Sequence, residues 1–328
     1  MRRREFITLL SGAAAGTPLA RAWAEESNLP AIGFLMGSSR ESQTPFLLGF
    51  PRGLSETGYI EGRNVLLQYR SADLHLDRLP ALADELIRRG VAIIVTTGGV
   101  QAAITAIHAT KTIPILFVGG IDPVKLGWVE SLDHPGRNVT GVSFLSNALE
   151  AKRLGLLHDT IPGMTVVGVL MNPQNPTSQQ QIKDLNDAGH ILGLTLHVAH
   201  AARQPDLEPA FNSLMQRGAQ AIVAATDANF LSWRDELVAL TRHARIPAIF
   251  HSREFAVAGG FLSYGANLTE AFRLAGIQAG RILKGDKPGN LPVQQSTRVE
   301  FVINLATAKL LGLEIPSGVL AIADEVIE

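Results

Sequence analysis

Short, continuously apolar runs alternate with longer amphipathic stretches along most of this chain. In the first half, the runs predict strands at 31–37, 65–69, 91–97, 113–119 and 139–144, with helices between them at 45–56, 77–89 and 101–109. Because the runs are apolar at successive positions rather than at alternate ones, both faces of each strand should be buried. That pattern is typical of a parallel sheet covered by helices on both sides, and it predicts a doubly wound α/β fold.

The same pattern starts again in the second half of the chain. Three pairs of segments match in the same order: IGFLM at 32–36 with VGVLM at 167–171, IVTT at 94–97 with VAAT at 223–226, and IPILF at 113–117 with IPAIF at 246–250. Each match alone is at the level of chance. Three matches in order predict two similar α/β lobes in tandem.

The segment after residue 260 indicates how the lobes are joined. It predicts a further strand at 261–264, a helix at 269–283 and a last strand near 319–322. A tail of this size predicts three crossovers between the lobes, near 143–146, 251–254 and 292–297. We therefore expect a first lobe of 25–144 with 254–293, and a second lobe of 145–253 with 294–328. Lobes joined by three strands form a hinge that can close on a ligand.

The N-terminus resembles a twin-arginine export signal. Arg3 and Arg4 are followed, after one residue, by Phe6 and an aliphatic residue, and the run at 9–20 is only mildly apolar. A run this short is not expected to span a bilayer. The small-x-small sequence that ends at Ala24 predicts cleavage there. We expect residues 1–24 to be a signal peptide and the mature chain to be periplasmic.

Composition and motifs exclude several classes of function. The net charge is −1 and there is no basic stripe, which argues against nucleic-acid binding. The chain has no Cys, so disulfides and Cys-ligated metals are excluded. His197 and His200 lie in an extended segment and should point to opposite faces, which disfavours a metal site there. No catalytic set, cofactor motif or metal site is expected.

In open parallel sheets, ligands bind beyond the carboxyl ends of the strands. The repeat allows those ends to be named in both lobes, and if the lobes face each other the loops line one cleft. The candidate ligand-binding residues on these loops are Ser38, Ser39, Thr97, Gly98, Gly99 and Asp122 in the first lobe, and Asn172, Thr226, Asp227 and Tyr264 in the second.

Each candidate also has a purely structural interpretation. The turn at 97–99 precedes a predicted helix and either binds an anion through free N–H groups or is a plain strand-to-helix turn. Asp227 either caps the following helix or faces the cleft as the counter-charge of an ammonium group. Asp122 is either a second acidic cleft residue or part of a turn. Tyr264 and Phe230 either stack on a ligand or belong to the core.

Several motifs resemble one known family over residues 31–328. They are IPI at 113–115 leading to DP at 122–123, PGRNVTGVS at 135–143, IPAI at 246–249, LSYG at 262–265, ILKG at 282–285, KP at 287–288, LPV at 291–293, INL at 303–305 and TA at 307–308. In these motifs the chain is similar to the substrate-binding proteins of ABC transporters, in the tryptophan/tyrosine-type branch with the type I periplasmic-binding fold.

The resemblance implies a monomer that captures a small solute and delivers it to a membrane permease, without catalysis or a cofactor. In members that bind amino acids, hydroxyls and amides of the first lobe hold the carboxylate, which places that role on 97–99. An acidic residue holds the ammonium, which places that role on Asp227. Val100 and Gln101 stand where the family continues with Thr or Ser and then Pro, so one hydroxyl is missing. The expected solute is therefore amino-acid-like or another small polar or aromatic molecule.

Two other functions remain open at this point. One is an exported hydrolase-like enzyme that uses Asp122, Asp227 or Glu254 as acid or base. The other is an effector-sensing module of a transcription regulator. The export signal and the lack of an N-terminal helix-turn-helix argue against the second.

Overall fold

The apolar runs form two sheets in the computed structural model, which describes residues 29–144 and 149–328. The predicted signal peptide, residues 1–24, and its cleavage site lie outside the described residues. The two-lobed α/β architecture predicted from the repeat is confirmed, because each sheet belongs to a separate lobe.

The first sheet has six parallel strands in the order β11-β5-β4-β3-β1-β2. Its strands are β1 (Ala31–Met36), β2 (Leu66–Ser71), β3 (Ile93–Thr97), β4 (Ile115–Gly119), β5 (Val139–Phe144) and β11 (Gln294–Ser296). The helices of this lobe are α1 (Arg40–Leu47), α2 (Gly49–Glu56), α3 (Leu79–Arg88), α4 (Val100–Ala109) and α11 (Leu268–Leu283). The central strands β1 and β3 are buried along their whole length, as expected for a sheet with helices on both faces.

The second sheet has seven strands in the order β13-β12-β10-β9-β8-β6-β7, and only the pair of β10 and β12 is antiparallel. Its strands are β6 (Val166–Met171), β7 (Thr195–His200), β8 (Ala221–Ala224), β9 (Ala248–Phe250), β10 (Leu262–Ala266), β12 (Val299–Asn304) and β13 (Glu325–Ile327). Its helices are α5 (Glu150–Thr160), α6 (Ser178–Leu192), α7 (Leu207–Gln216), α8 (Ala228–Ser232), α9 (Arg234–His243), α10 (Arg253–Val257), α12 (Leu305–Leu311) and α13 (Ser317–Leu320).

Sheet pairing corrects the predicted crossovers and lobe boundaries. Strand β10 pairs with β9 and β12 in the second sheet, where Leu262 lies opposite Ile249 and Tyr264 opposite Phe301, although it was expected in the first lobe. The second crossover is therefore at Asn267 rather than at 251–254.

Strand β11 belongs to the first lobe, although the prediction assigned it to the second. It pairs with β5 in the first sheet, whereas the prediction placed residues 294–328 in the second lobe. The third crossover consequently follows β11 and lies at 297–298. The predicted strand near 319–322 is also wrong, because helix α13 extends into it as far as Leu320 and the last strand is β13.

Close packing of α11 on α2 fixes the crossover helix to the first lobe. A Cβ at Gly53 would collide with the carbonyl oxygen of Arg273, and a Cβ at Gly276 would collide with that of Phe50. The two helix backbones therefore touch, which only glycine permits. The chain returns to the first lobe through α11 before it reaches β11.

The two lobes are in direct contact in this structure. The hydroxyl of Ser232 on α8 donates to Ser42 Oγ on α1, at 3.2 Å. One cluster of buried apolar side chains also contains residues of both lobes, among them Phe46 of the first and Phe230 of the second. The loops that follow β1 and β8 thus face each other. Within the residues that the structure describes, no helix is long and apolar enough to cross a membrane.

Candidate ligand-binding cleft

The first wall of the cleft is built from the loops that follow β1 and β3. Ser39 caps α1 by accepting a hydrogen bond from the Ser42 N–H at 3.2 Å. Ser38 is fully buried, and its hydroxyl has no hydrogen-bond partner in the described part of the chain. Gly98 and Gly99 have φ values of 71° and 118°. A Cβ at Gly98 would collide with the Ser38 hydroxyl, so these two loops pack directly on each other.

Gln43 belongs to this wall, although the sequence analysis did not select it. The Thr97 hydroxyl donates to Gln43 Oε1 at 3.1 Å, and both residues are buried. Gln43 Nε2 makes no hydrogen bond within residues 29–144 and 149–328, so its donors are available to a solute. The sequence spacing could have identified it, because Gln43 lies four residues after the candidate Ser39 and therefore on the same face of α1.

Asp227 on the second wall confirms the capping interpretation, whereas its role as the counter-charge of an ammonium group stays a prediction. It caps α8, because its Oδ1 accepts from the Asn229 N–H at 2.8 Å. Its Oδ2 accepts from the side-chain amides of Asn172 at 3.2 Å and Asn175 at 2.8 Å. Burial raises the pKa of Asp227, and these hydrogen bonds oppose that rise. No cation pairs with this carboxylate within the described residues, and a buried unpaired charge is costly.

Thr226 faces the protein rather than an open cleft. Its N–H donates to Glu150 Oε1 at 2.9 Å, and its hydroxyl accepts from Arg153 Nη2 at 2.6 Å. Its carbonyl accepts from the side-chain amides of Asn175 and Gln181. The polar groups of the Thr226 backbone are therefore used internally, which indicates a supporting role next to Asp227.

The remaining predicted residues divide between cleft, turn and core. Asp122 is exposed, and its Oδ1 accepts from the N–H groups of Val124 and Lys125 at 3.1 Å each, so it forms the turn. Phe230 is fully buried and belongs to the core. Tyr264 is half-buried in the middle of β10, and its ring packs edge-on against Phe301 with centroids 6.2 Å apart.

Residues 34–327 match the model of the family described as ABC transporter substrate binding protein. This chain belongs to that family. Its members bind small solutes and work with ABC permeases. The main functional interpretation of the sequence is therefore favoured over the enzyme alternative.

Individual relatives support the tryptophan/tyrosine-type branch that the sequence motifs of this substrate-binding protein resemble. It is 27% identical to the tyrosine-binding protein of Clostridioides difficile (strain R20291) over 270 residues, which are 81% of this chain and 76% of that one. It is also similar to a conserved domain protein from Vibrio cholerae, with a TM-score of 0.83, 26% identity and coverage of 91% of this chain and 100% of that one.

A third relative was solved with a ligand. It is an ABC domain from Streptococcus pneumonia in complex with L-Trp, with a TM-score of 0.82 and 25% identity. The match covers 92% of this chain and 100% of that one. These structures confirm the two-lobed parallel-sheet fold.

The loop after β9 adds two titratable groups to the second wall of this substrate-binding protein. The Ser252 hydroxyl donates to Glu254, and burial raises the pKa of that carboxyl. Burial, together with the charge of Arg153, lowers the pKa of His251 to about 3, so this histidine is neutral at ordinary pH. No hydrogen bond joins Asp227 to Glu254 within the described residues, so the structure shows no shared-proton carboxylate pair of the kind used in acid–base catalysis.

The described residues form no candidate metal site and two further cavities. No group of three or more His, Asp or Glu side chains in residues 29–144 and 149–328 is placed to hold a metal ion. Two surface cavities, of about 140 Å³ and 450 Å³, lie outside the cleft. The first is lined by Arg52, Arg273 and Arg298, and the second by Arg242 and Leu310 among others.

Proposed function

We propose that this protein captures a zwitterionic amino acid between its lobes and delivers it to an ABC permease in the inner membrane. The observation that carries the proposal is the opposite chemistry of the two walls. The second wall holds the buried carboxylate of Asp227, which has no cationic partner in the described residues. The first wall offers neutral hydrogen-bond donors and no acidic side chain next to 97–99.

The ammonium group of the solute is assigned to Asp227. A buried carboxylate is stabilised most by a cation that brings its own hydrogen-bond donors. Asn172 and Asn175 hold the carboxylate in place from the protein side. The solute would then complete the interactions of an otherwise costly buried charge.

The carboxylate of the solute is assigned to the first wall. Helix α4 begins after Gly99, and no side chain in the described part of the chain caps it, so we assign the N–H groups of its first turn to the solute. Free N–H groups and the helix dipole favour an anion there. The amide donors of Gln43 and the unpartnered hydroxyl of Ser38 add to them. Gln43 can therefore compensate for the hydroxyl that is missing at Val100.

The side chain of the solute is proposed to be aromatic. The supporting facts are the tyrosine-binding relative and the relative solved with L-Trp. Tyr264, half-buried in the middle of β10, is the aromatic residue proposed to contact it.

We also propose the cellular setting that the N-terminus predicts. The chain is exported through the twin-arginine route, cleaved after Ala24 and released into the periplasm as a monomer. It binds no nucleic acid and catalyses no reaction. Hinge motion at the three crossovers opens and closes the cleft.

A thermal-melting panel of the proteinogenic amino acids tests this function. We expect stabilisation by tryptophan, tyrosine or phenylalanine that grows with concentration, as mass action requires. Mass spectrometry of the recovered solute should show that it is unchanged. A panel in which no amino acid raises the melting temperature would contradict the proposal.

A further inference from the structure

A fully buried ion pair lies behind the proposed ammonium site. Glu150 and Arg153, on the first turn of α5, are both 0% exposed. Arg153 Nη2 lies 2.7 Å from Glu150 Oε1, and Arg153 Nε donates to Glu150 Oε2 at 3.3 Å. Desolvating two charges costs several kcal/mol per ion, and well-packed apolar residues often stabilise a fold equally well. Stability alone therefore does not explain this pair.

The pair holds the residue that precedes Asp227 through two bonds. Glu150 accepts the Thr226 N–H at 2.9 Å, and Arg153 donates to the Thr226 hydroxyl at 2.6 Å. Each bond involves a charged group, and such bonds are stronger than neutral ones and more demanding in geometry. The guanidinium is planar with fixed donors, so it sets the position of Thr226 in a way that an apolar side chain cannot.

The same pair also contacts the chain next to two of the crossovers. Helix α5 begins at Glu150, shortly after the chain leaves the first sheet at the end of β5. Arg153 Nη1 donates to the carbonyl of Tyr264 at 2.9 Å, and Tyr264 lies on β10 shortly before the crossover at Asn267. One guanidinium therefore connects the loop that carries Asp227 to the strand that enters the second crossover.

We propose that Glu150 and Arg153 are positioning residues for solute binding. They hold the Thr226–Asp227 loop at a fixed place relative to the hinge segments, so that Asp227 is preorganised for the solute. The proposal rests on the proposed role of Asp227 as the ammonium site. The ion pair itself touches no solute and acts through Thr226.

The test replaces the pair while keeping its volume. In the purified protein, the double variant E150M/R153M removes the desolvation cost of the pair but leaves the Thr226 N–H and the Tyr264 carbonyl without these partners, so its melting temperature should fall. Its affinity for L-tryptophan should fall about tenfold or more, as expected for lost hydrogen bonds to charged groups. T226V should weaken binding in the same direction, whereas T226S keeps the hydroxyl and should bind as the wild type does.

A control separates positioning from loss of stability. Leu185 is buried on α6 in the same lobe, and L185A should lower the melting temperature through a cavity without changing the affinity for L-tryptophan. Wild-type affinity in E150M/R153M would overturn the positioning role.

A second readout needs no solute. Hydrogen exchange of the peptide that spans 221–232 should be faster in E150M/R153M than in L185A. Equal exchange in the two variants would overturn the proposal even if the wild type did not bind L-tryptophan. Failure of the wild type to bind would count against the proposed function alone, since hydrogen exchange still decides the positioning role.

Discussion

Ser232 of the second lobe donates a hydrogen bond to Ser42 of the first lobe, at 3.2 Å between the two hydroxyl oxygens. Ser42 is buried and next to Gln43, and Ser232 lies on the helix that Asp227 caps. The contact therefore joins the helices that carry the proposed carboxylate and ammonium sites. It connects the two lobes across the candidate cleft in this structure.

Removing this contact should weaken solute binding without unfolding either lobe. A neutral hydrogen bond contributes about 0.5–1.5 kcal/mol, so S42A and S232A should each weaken binding about two- to tenfold. The double variant should be little worse than either single one, because both remove the same bond. Calorimetric titrations of the four proteins measure this coupling. Fully additive losses would show that the bond does not contribute to closure.

Asp227→Asn should abolish most solute binding. The substitution removes the charge that pairs with the ammonium group, and it places an amide among the donors of Asn172 and Asn175. Breaking a buried charge pair costs about 3–5 kcal/mol, which corresponds to a loss of affinity of about a hundredfold or more. Asp122→Asn is the matched control, because Asp122 only forms an exposed turn. Equal effects of the two substitutions would contradict the assignment.

The raised pKa of Asp227 predicts two pH dependences of opposite sign. The folded protein binds this proton more tightly than the unfolded chain does. This group therefore contributes stability that is fully present below its unfolded pKa and is lost as the pH rises through the folded pKa. Solute affinity should instead fall as the pH is lowered through the folded pKa, since the ammonium group needs the ionised carboxylate.

Titrations with L-tryptophan at a series of pH values below neutrality measure this effect. His251, with a pKa of about 3, stays neutral at pH values well above that pKa. Glu254 also has a raised pKa, so E254Q serves as the control for its titration. If the pH dependence of L-tryptophan affinity disappeared in E254Q and persisted in D227N, Glu254 would be the titrating group, which would contradict the role of Asp227.

Gln43→Leu should weaken the binding of solutes that carry a carboxylate. Its Nε2 is a donor on the first wall that has no hydrogen-bond partner within the described residues. Losing a hydrogen bond to a charged group costs about 1.5–3 kcal/mol, which lowers the affinity about tenfold or more. Gln43→Glu should weaken binding further through charge repulsion. Neither variant should affect a decarboxylated analogue such as tryptamine. An equal loss for L-tryptophan and tryptamine would place Gln43 away from the carboxylate.

The two helical glycines Gly53 and Gly155 should respond to alanine in opposite ways. At Gly53 a Cβ collides with the Arg273 carbonyl, so G53A should destabilise the protein by about 1–3 kcal/mol. At Gly155 no heavy atom lies within 4 Å of the added Cβ, so G155A should stabilise the protein by about 0.5–1 kcal/mol through backbone entropy. Denaturant unfolding measures both, and a stabilised G53A would contradict the close packing of α2 on α11.

The sequence predicted the sheets better than the connections between them. Continuous apolar runs identify buried parallel strands, so β1, β3, β4 and their counterparts in the second half were found. The lobe to which β10 and β11 belong depends on which strand each one pairs with, such as Tyr264 opposite Phe301. That pairing is long-range and leaves no local pattern.

The candidate site also contains residues that local sequence pattern predicts and residues that only the folded structure brings together. Strand periodicity correctly placed Thr97 at the carboxyl end of β3 and Asp227 shortly after β8, where parallel sheets carry their ligand-binding loops. It did not separate Thr226, whose backbone is held by Glu150, from residues that are available to a solute. Gln43 and the Glu150–Arg153 pair lie on helices, and the distances that give them their roles exist only in the folded chain.

The most direct test of the proposed zwitterion site is a calorimetric titration with three matched solutes. L-tryptophan carries both charged groups, tryptamine lacks the carboxylate, and indole-3-propionate lacks the ammonium group. We predict 1:1 binding of L-tryptophan, with each analogue about a hundredfold weaker or more, since each leaves one buried wall without its partner. Binding of either analogue as tightly as L-tryptophan would contradict a cleft built to hold both ends of an amino acid.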